Sequence, residues 1–251
     1  MWKDEKKKAP IADYLGWLLF LSLFVNIIIL ALEPASIAYA ETGKLTFLYV
    51  IYAIIGMFFT TPGPVITLFI VLRKEESISV KEFLRRFLYM PGKMKMILIT
   101  GFFCACALIF ALVCGEPNGS PWYLMPLGFV IMLPFVGFAE ETGWRGFLQP
   151  ALEKRFPFPV ATSIVAVIWS VWHFPIWLQP SSNHYGDSMV GFAMNIFVWA
   201  FVAAAIYKST KSVLACAIYH SFINSAGAIY DWNKLFDTYP KSNAAYLYLG
   251  V

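Results

Sequence analysis

The chain has 251 residues, 59% hydrophobic and only 14% charged, where a soluble domain carries about 25% charge. That balance excludes an ordinary soluble enzyme, and apolar windows of about 20 residues recur along the whole length. The net charge of +4 reports topology, not nucleic-acid binding, because no basic patch with interleaved aromatics lies outside those windows.

Seven windows read as transmembrane helices, roughly residues 14–32, 45–72, 94–114, 122–143, 160–178, 190–207 and 212–230. The expected fold is all-α: a polytopic transmembrane helix bundle of seven or eight spans, forming one integral membrane domain over residues 1–251. Its chemistry concentrates in residues 122–230, and the apolar end "AAYLYLGV", residues 244–251, either starts the eighth span or lies at the interface. Of the 19 basic residues, 16 fall on one side of the spans, loop by loop, leaving Lys44, Lys234 and Lys241 on the other. The positive-inside rule then places the amino terminus in the cytoplasm.

At the amino terminus, "MWKDEKKK", an apolar run and "AYA" at Ala38 to Ala40 imitate a secretory signal. The run is about 18 residues, longer than a signal core, so it reads as the first span. The second window is too long for one straight crossing and contains "TTPGP", Thr60 to Pro64, whose prolines remove helical donors and predict a break. Thr60 and Thr61 are placed to satisfy the freed carbonyls, and a wet vestibule is the rival to a packing kink.

Between the second and third spans, "SVKEFLRRFLYM" puts Ser79 and Glu82 at capping-box spacing, with Val80, Phe83, Leu84, Phe87 and Leu88 on one helical face. This is an interfacial amphipathic helix, with Lys81, Arg85 and Arg86 turned away from the membrane. The four cysteines, Cys104, Cys106, Cys114 and Cys216, fall in or beside spans without CxxC spacing, and read as packing residues.

Few polar residues remain inside the spans: Glu140, Glu141 and Arg145 in the fourth, His173 in the fifth, Asn195 in the sixth, His220 and Asn224 in the seventh. About the turn "RFPFP", Glu140 and His173 are nearly equidistant, which places them at one depth. His220 and Asn224 lie about 16 to 22 Å along their helix from the turn "KSTK", at a similar depth once the fourth and fifth helices extend a turn into the cytoplasm. Glu141 and Arg145 are i and i+4 and can pair, as can His220 and Asn224, whereas Glu140 is rotated about 100° toward another partner. Gly143 and Gly146 leave room for a backbone or a substrate.

Alone, each of these residues reads equally well as interhelical glue, and Asn195 is left there. Together they supply a carboxylate base, a second proton handler and oxyanion donors.

In order, "EETGWR" (Glu140 to Arg145), "WSVWH" (Trp169 to His173) and "HSFIN" (His220 to Asn224) resemble the EExxxR, FxxxH and HxxxN motifs of the CAAX-protease and bacteriocin-processing family, also called the Abi family, of intramembrane proteases. The resemblance implies a peptidase in which Glu140 activates water with help from His173, while His220 and Asn224 stabilise the oxyanion. Glu141 and Arg145 would be a supporting pair that orients Glu140. Trp169 departs from the pattern, standing where the family motif usually has Phe.

Two chemistries remain open. In one, Glu140 and His173 activate water without metal. In the other, Glu140, His173 and His220 ligate zinc and Glu141 is the base, though H-E-x-x-H spacing is absent. The partners expected are membrane lipid and a membrane-associated or lipidated peptide or protein substrate, cut near the cytoplasmic face. The rivals are a non-catalytic immunity or partner-binding membrane protein, and a proton-coupled transporter, for which no matched pair of interrupted helices is visible.

Overall fold

Helices make up most of the described chain, residues 10–182, 184–227 and 229–231 of the computed structural model. The first, α1 (Ile11–Thr42), is 32 residues long and ends at Gly43, whose φ of +67° closes the helix in the left-handed region. It carries Ala38 to Ala40 inside its last turns. A capped α2 (Phe47–Ile55) follows, with Thr46 Oγ1 accepting from Tyr49 N. It widens into a π turn at Gly56–Thr60 before α3 (Gly63–Glu76).

The two halves of this second window meet at 57°. The break falls at the predicted Pro-Gly-Pro, where missing N–H donors interrupt the helical ladder. Thr60 Oγ1 is buried without a hydrogen-bond partner, so the freed carbonyls are not capped by it as expected. The bend packs into the protein instead: Pro64 meets Gly143 and Gly63 faces Trp172.

Helix α4 (Val80–Phe87) carries the full capping box predicted for it, Ser79 accepting from Glu82 N and Glu82 from Ser79 N. Phe83 and Phe87 are buried in the main core, Val80, Leu84 and Leu88 are exposed, and Arg86 pairs with Glu76. Its apolar face is thus divided between protein and surroundings. Helix α5 (Lys93–Cys114) buries only Met96, Thr100 and Ala111, as a lipid-facing helix does.

The helix that carries the two adjacent glutamates, α6 (Leu124–Glu153), runs for 30 residues. Two π turns, Leu133–Phe138 and Trp144–Leu148, bracket its charged centre. Pro134 lies in the first and Pro150 just after the second, and a residue without N–H lets the hydrogen-bond register change there. Helix α7 (Phe158–Trp172) ends at His173 and continues as a 3₁₀ turn, Phe174–Leu178. Helix α8 (Met189–Thr210) packs along α7. The last described helix, α9 (Val213–Gly227), is inserted among α5, α6 and α8. A short antiparallel ribbon joins Glu116–Pro117 to Tyr230–Asp231.

Among the described residues, five helices are long and apolar enough to cross a membrane, and the bent α2–α3 pair makes up to six. The seventh predicted span is a 15-residue helix, about 22 Å of rise, short of a hydrocarbon core of about 30 Å. Its composition explains the difference. Ala215, Cys216, Ala217, Ser221, Ser225 and Ala226 are all buried, and such small side chains let neighbouring backbones surround a helix that owes its apolar character to protein contact. The chain is an integral, multi-pass membrane protein with an all-α bundle. Residues 1–9 and 244–251 lie outside the described residues, and with them the predicted eighth span. The four cysteines are free thiols, Cys216 buried and Cys106 and Cys114 exposed.

Candidate active site

From residue 139 to residue 149, every side chain of α6 is buried. Four charged or amide groups in that stretch therefore need partners within the protein. Among the described residues Glu141 finds two: Arg145 Nη1 donates to both of its carboxylate oxygens at 2.8 and 3.0 Å, and His220 Nδ1 lies 3.0 Å from Oε1. Arg145 Nη2 also donates to the Ala200 carbonyl of α8 at 3.1 Å. Gln149 donates to Glu153 and to Thr162 of α7.

Glu140, one residue earlier and rotated about 100°, faces a different wall. The indole N–H of Trp169 donates to its Oε2 at 2.7 Å, and that of Trp144 approaches the same atom at 3.4 Å. Glu140 has no ion-pair partner among the described residues. Its second oxygen, Oε1, accepts no hydrogen bond there either. Two neighbouring carboxylates on one helix thus have opposite surroundings, one compensated by charge and one held only by neutral donors.

The imidazoles are oriented by acceptors. His173 Nδ1 lies 2.9 Å from the Trp169 carbonyl, which can only accept, so Nδ1 carries hydrogen and Nε2 is left with its lone pair in the neutral ring. His220 Nδ1 faces a carboxylate and is a donor for the same reason. Trp169 sits between the rings, 6.2 Å from His173 and 5.2 Å from His220 by centroids, with the Arg145 guanidinium 4.8 Å from its own centroid. Asn224, one turn beyond His220, is half-buried and makes no side-chain hydrogen bond among the described residues.

The structure thus gathers Glu140, Glu141, Arg145, His173 and His220 around Trp169, with Asn224 a turn away on α9. The supporting pair expected from the sequence reaches His220, not Glu140. Trp144 and Trp169 escaped the sequence reading as hydrogen-bond donors. Their spacing was the available signal, since Trp144 is i+4 from Glu140 and Trp169 is i−4 from His173. Gly143 and Gly146 leave no room for substrate. A Cβ on Gly143 would meet the Tyr14 hydroxyl and, at 2.7 Å, Pro64 Cβ; one on Gly146 would lie 2.9 Å from Phe87 Cε1. Both positions are filled by α1, α3 and α4, which reach the charged helix from outside its own hairpin.

Among the described residues no three His, Cys, Asp or Glu side chains are grouped to hold a metal ion. Glu140 Oε2 turns to two indoles, and His220 Nδ1 and His173 Nδ1 face Glu141 and the Trp169 carbonyl.

Residues 121–226 match the profile of the "Type II CAAX prenyl endopeptidase Rce1-like" family. That segment is similar to the family. It holds all three motifs and every side chain of the cluster. Across a wider stretch the chain is 25% identical over 230 residues to "CAAX prenyl protease 2" of Methanococcus maripaludis, covering 82% of each protein. The similarity therefore extends beyond the family segment, into helices that pack against the cluster.

Proposed function

We propose that the chain is an intramembrane endopeptidase of the CAAX prenyl protease type, and that it cleaves its substrate near the cytoplasmic membrane face. The observation that carries this is the buried Glu140 carboxylate, without an ion-pair partner among the described residues and fixed at Oε2 by indole donors. A buried carboxylate lacking a counter-charge is costly to maintain. With two imidazoles packed on the same Trp169 that holds it, its use is to take a proton.

In this reading Glu140 Oε1 holds the attacking water, and His173 Nε2 accepts a second hydrogen bond from it. As the water oxygen bonds to the scissile carbonyl carbon, its proton passes to Glu140. The oxyanion that forms is met by Asn224 Nδ2–H and by Nε2–H of His220 in its doubly protonated form, whose Nδ1–H is held by Glu141. The C–N bond then breaks and the leaving amine takes the proton from Glu140. Arg145 holds Glu141 in place, so it acts on the oxyanion side of the site. The amino terminus is cytoplasmic, and α4 offers Val80, Leu84 and Leu88 with Lys81 and Arg85 to anionic lipid or to a substrate's lipid tail.

The decisive experiment uses detergent-purified protein and a quenched peptide ending in a prenylated CAAX sequence, with wild type set against Glu140→Gln and His173→Ala, each with and without a chelator. Turnover by wild type, lost in both variants and kept with chelator, supports water activation by Glu140 and His173. Absence of wild-type turnover in reconstituted membranes as well as in detergent sinks the peptidase reading.

A further inference from the structure

The reading of Glu140 as the base leaves open what fixes the carboxylate. Buried carboxylates are commonly held by cations or by backbone N–H groups. Here the shorter of two indole contacts, 2.7 Å from Trp169, is a well-formed hydrogen bond, while the 3.4 Å approach of Trp144 is at the outer limit. Trp169 is 1% exposed, so its ring has no freedom to leave. It packs against both the Arg145 guanidinium and the His220 ring. The same residue accepts from His173 Nδ1 through its main-chain carbonyl. One residue therefore holds both partners of the attacking water, Glu140 by side chain and His173 by backbone.

Resting on the peptidase reading, we infer that Trp169 is a positioning residue: its indole N–H occupies Glu140 Oε2 and so presents Oε1 to the water, a task a phenylalanine ring at this position cannot perform. The carboxylate has two equivalent oxygens and a broad terminal torsion. Without a short donor on Oε2 it turns among several orientations, and few of them aim a lone pair at a water shared with His173. Trp144, at 3.4 Å, is too far to impose that choice alone. The backbone half of the arrangement survives any side-chain change at 169, so the two halves are separable by experiment.

The test replaces Trp169 by benzothienylalanine, which keeps the bicyclic shape and exchanges N–H for sulfur, with Trp169→Phe as second variant. Steady-state kinetics on the prenylated peptide, thermal unfolding in detergent and the indole N–H resonance of ¹⁵N-tryptophan-labelled protein are measured together. The expected result is a fall in kcat of about 10- to 100-fold, the scale of one hydrogen bond to a charged group, with KM and the unfolding temperature unchanged. In the wild-type protein the Trp169 indole signal moves on Glu140→Gln. Unchanged kcat in the benzothienyl protein overturns the inference, as does a raised KM at constant kcat, which makes Trp169 a wall of the substrate pocket. A loss of rate that follows a loss of thermal stability overturns it too. The resonance needs no turnover, so an inactive wild type that still shows the Glu140-dependent shift refutes the peptidase reading while leaving the hydrogen bond in place.

Discussion

Two polar clusters among the described residues of this bundle contain buried glutamates. Around Glu140 the partners are side chains: two indoles, with two imidazoles and an ion pair adjoining. Around Glu33 on α1 they are mostly structural, with the Ser181 backbone N–H donating to Oε1 at 2.6 Å and Gln179 of the same segment bonded to Asn26. Glu33 Oε2 is sealed without a partner. The second cluster fastens the chain that follows His173 to α1, whereas the first brings together groups able to exchange protons. A buried carboxylate is therefore not diagnostic on its own; what surrounds it is.

That contrast breaks most sharply under an amide replacement at each glutamate. Glu140→Gln keeps the shape but removes the base, and turnover should fall by about 10²- to 10⁴-fold, the usual range for lost general-base assistance. Thermal unfolding should move little, since the oxygen of the new carboxamide can still accept from Trp169. Turnover close to wild type would place the chemistry elsewhere.

Next in size is Arg145→Met. It removes the cation from a pair with no exposed surface, and leaves the Glu141 carboxylate buried against His220 without its guanidinium. Breaking a buried pair from one side costs about 3–5 kcal/mol. Detergent-solubilised protein should unfold at a clearly lower temperature, and Arg145→Met/Glu141→Leu should recover part of the loss. If the double variant is no more stable than the single one, the pair is not the source of the effect.

Gly143→Ala probes how closely the outer helices approach the glutamates. The added methyl would collide with the Tyr14 hydroxyl and with Pro64 at 2.7 Å, an overpacking cost of about 1–3 kcal/mol. A thermal shift absent from this variant would mean that α1 and α3 yield, and that the bend at Thr60 to Pro64 is not wedged against the site. Rescue of stability by Tyr14→Phe would identify the hydroxyl as the obstacle.

Much of this arrangement was legible in the sequence because it follows from spacing. The i, i+4 pair of Glu141 with Arg145, the capping box at Ser79 and Glu82, and the break at Pro62 to Pro64 each depend on backbone geometry alone, and each is present. Trp144 and Trp169 were hidden for a different reason. An indole in an apolar helix reads as bulk, and whether its N–H finds a carboxylate depends on rotamers set by neighbours 25 residues apart in sequence, as Trp144 and Trp169 are. The second cluster was obscured by the length of α1, which continues ten residues past the apolar window ending at residue 32, to Thr42, and so draws Glu33 inside. Likewise the seventh span looked membrane-crossing because small apolar residues score alike against lipid and against protein.

The smallest effect expected is the most informative about the second cluster. Glu33→Gln preserves an oxygen for the Ser181 N–H and puts an amide nitrogen where Oε2 has no partner, so it should cost about 1 kcal/mol and leave kcat within about twofold. Glu33→Leu removes the charged acceptor of the part-buried Ser181 N–H bond, a cost of about 1–3 kcal/mol, felt where the 179–181 segment leaves the 3₁₀ turn behind His173. If that variant lowers kcat far more than it lowers stability, the anchoring of this segment sets the position of His173, and the two clusters form one mechanism. If kcat and unfolding temperature fall in proportion, Glu33 is a fastening alone, and the chemistry ends at the ring of residues around Trp169.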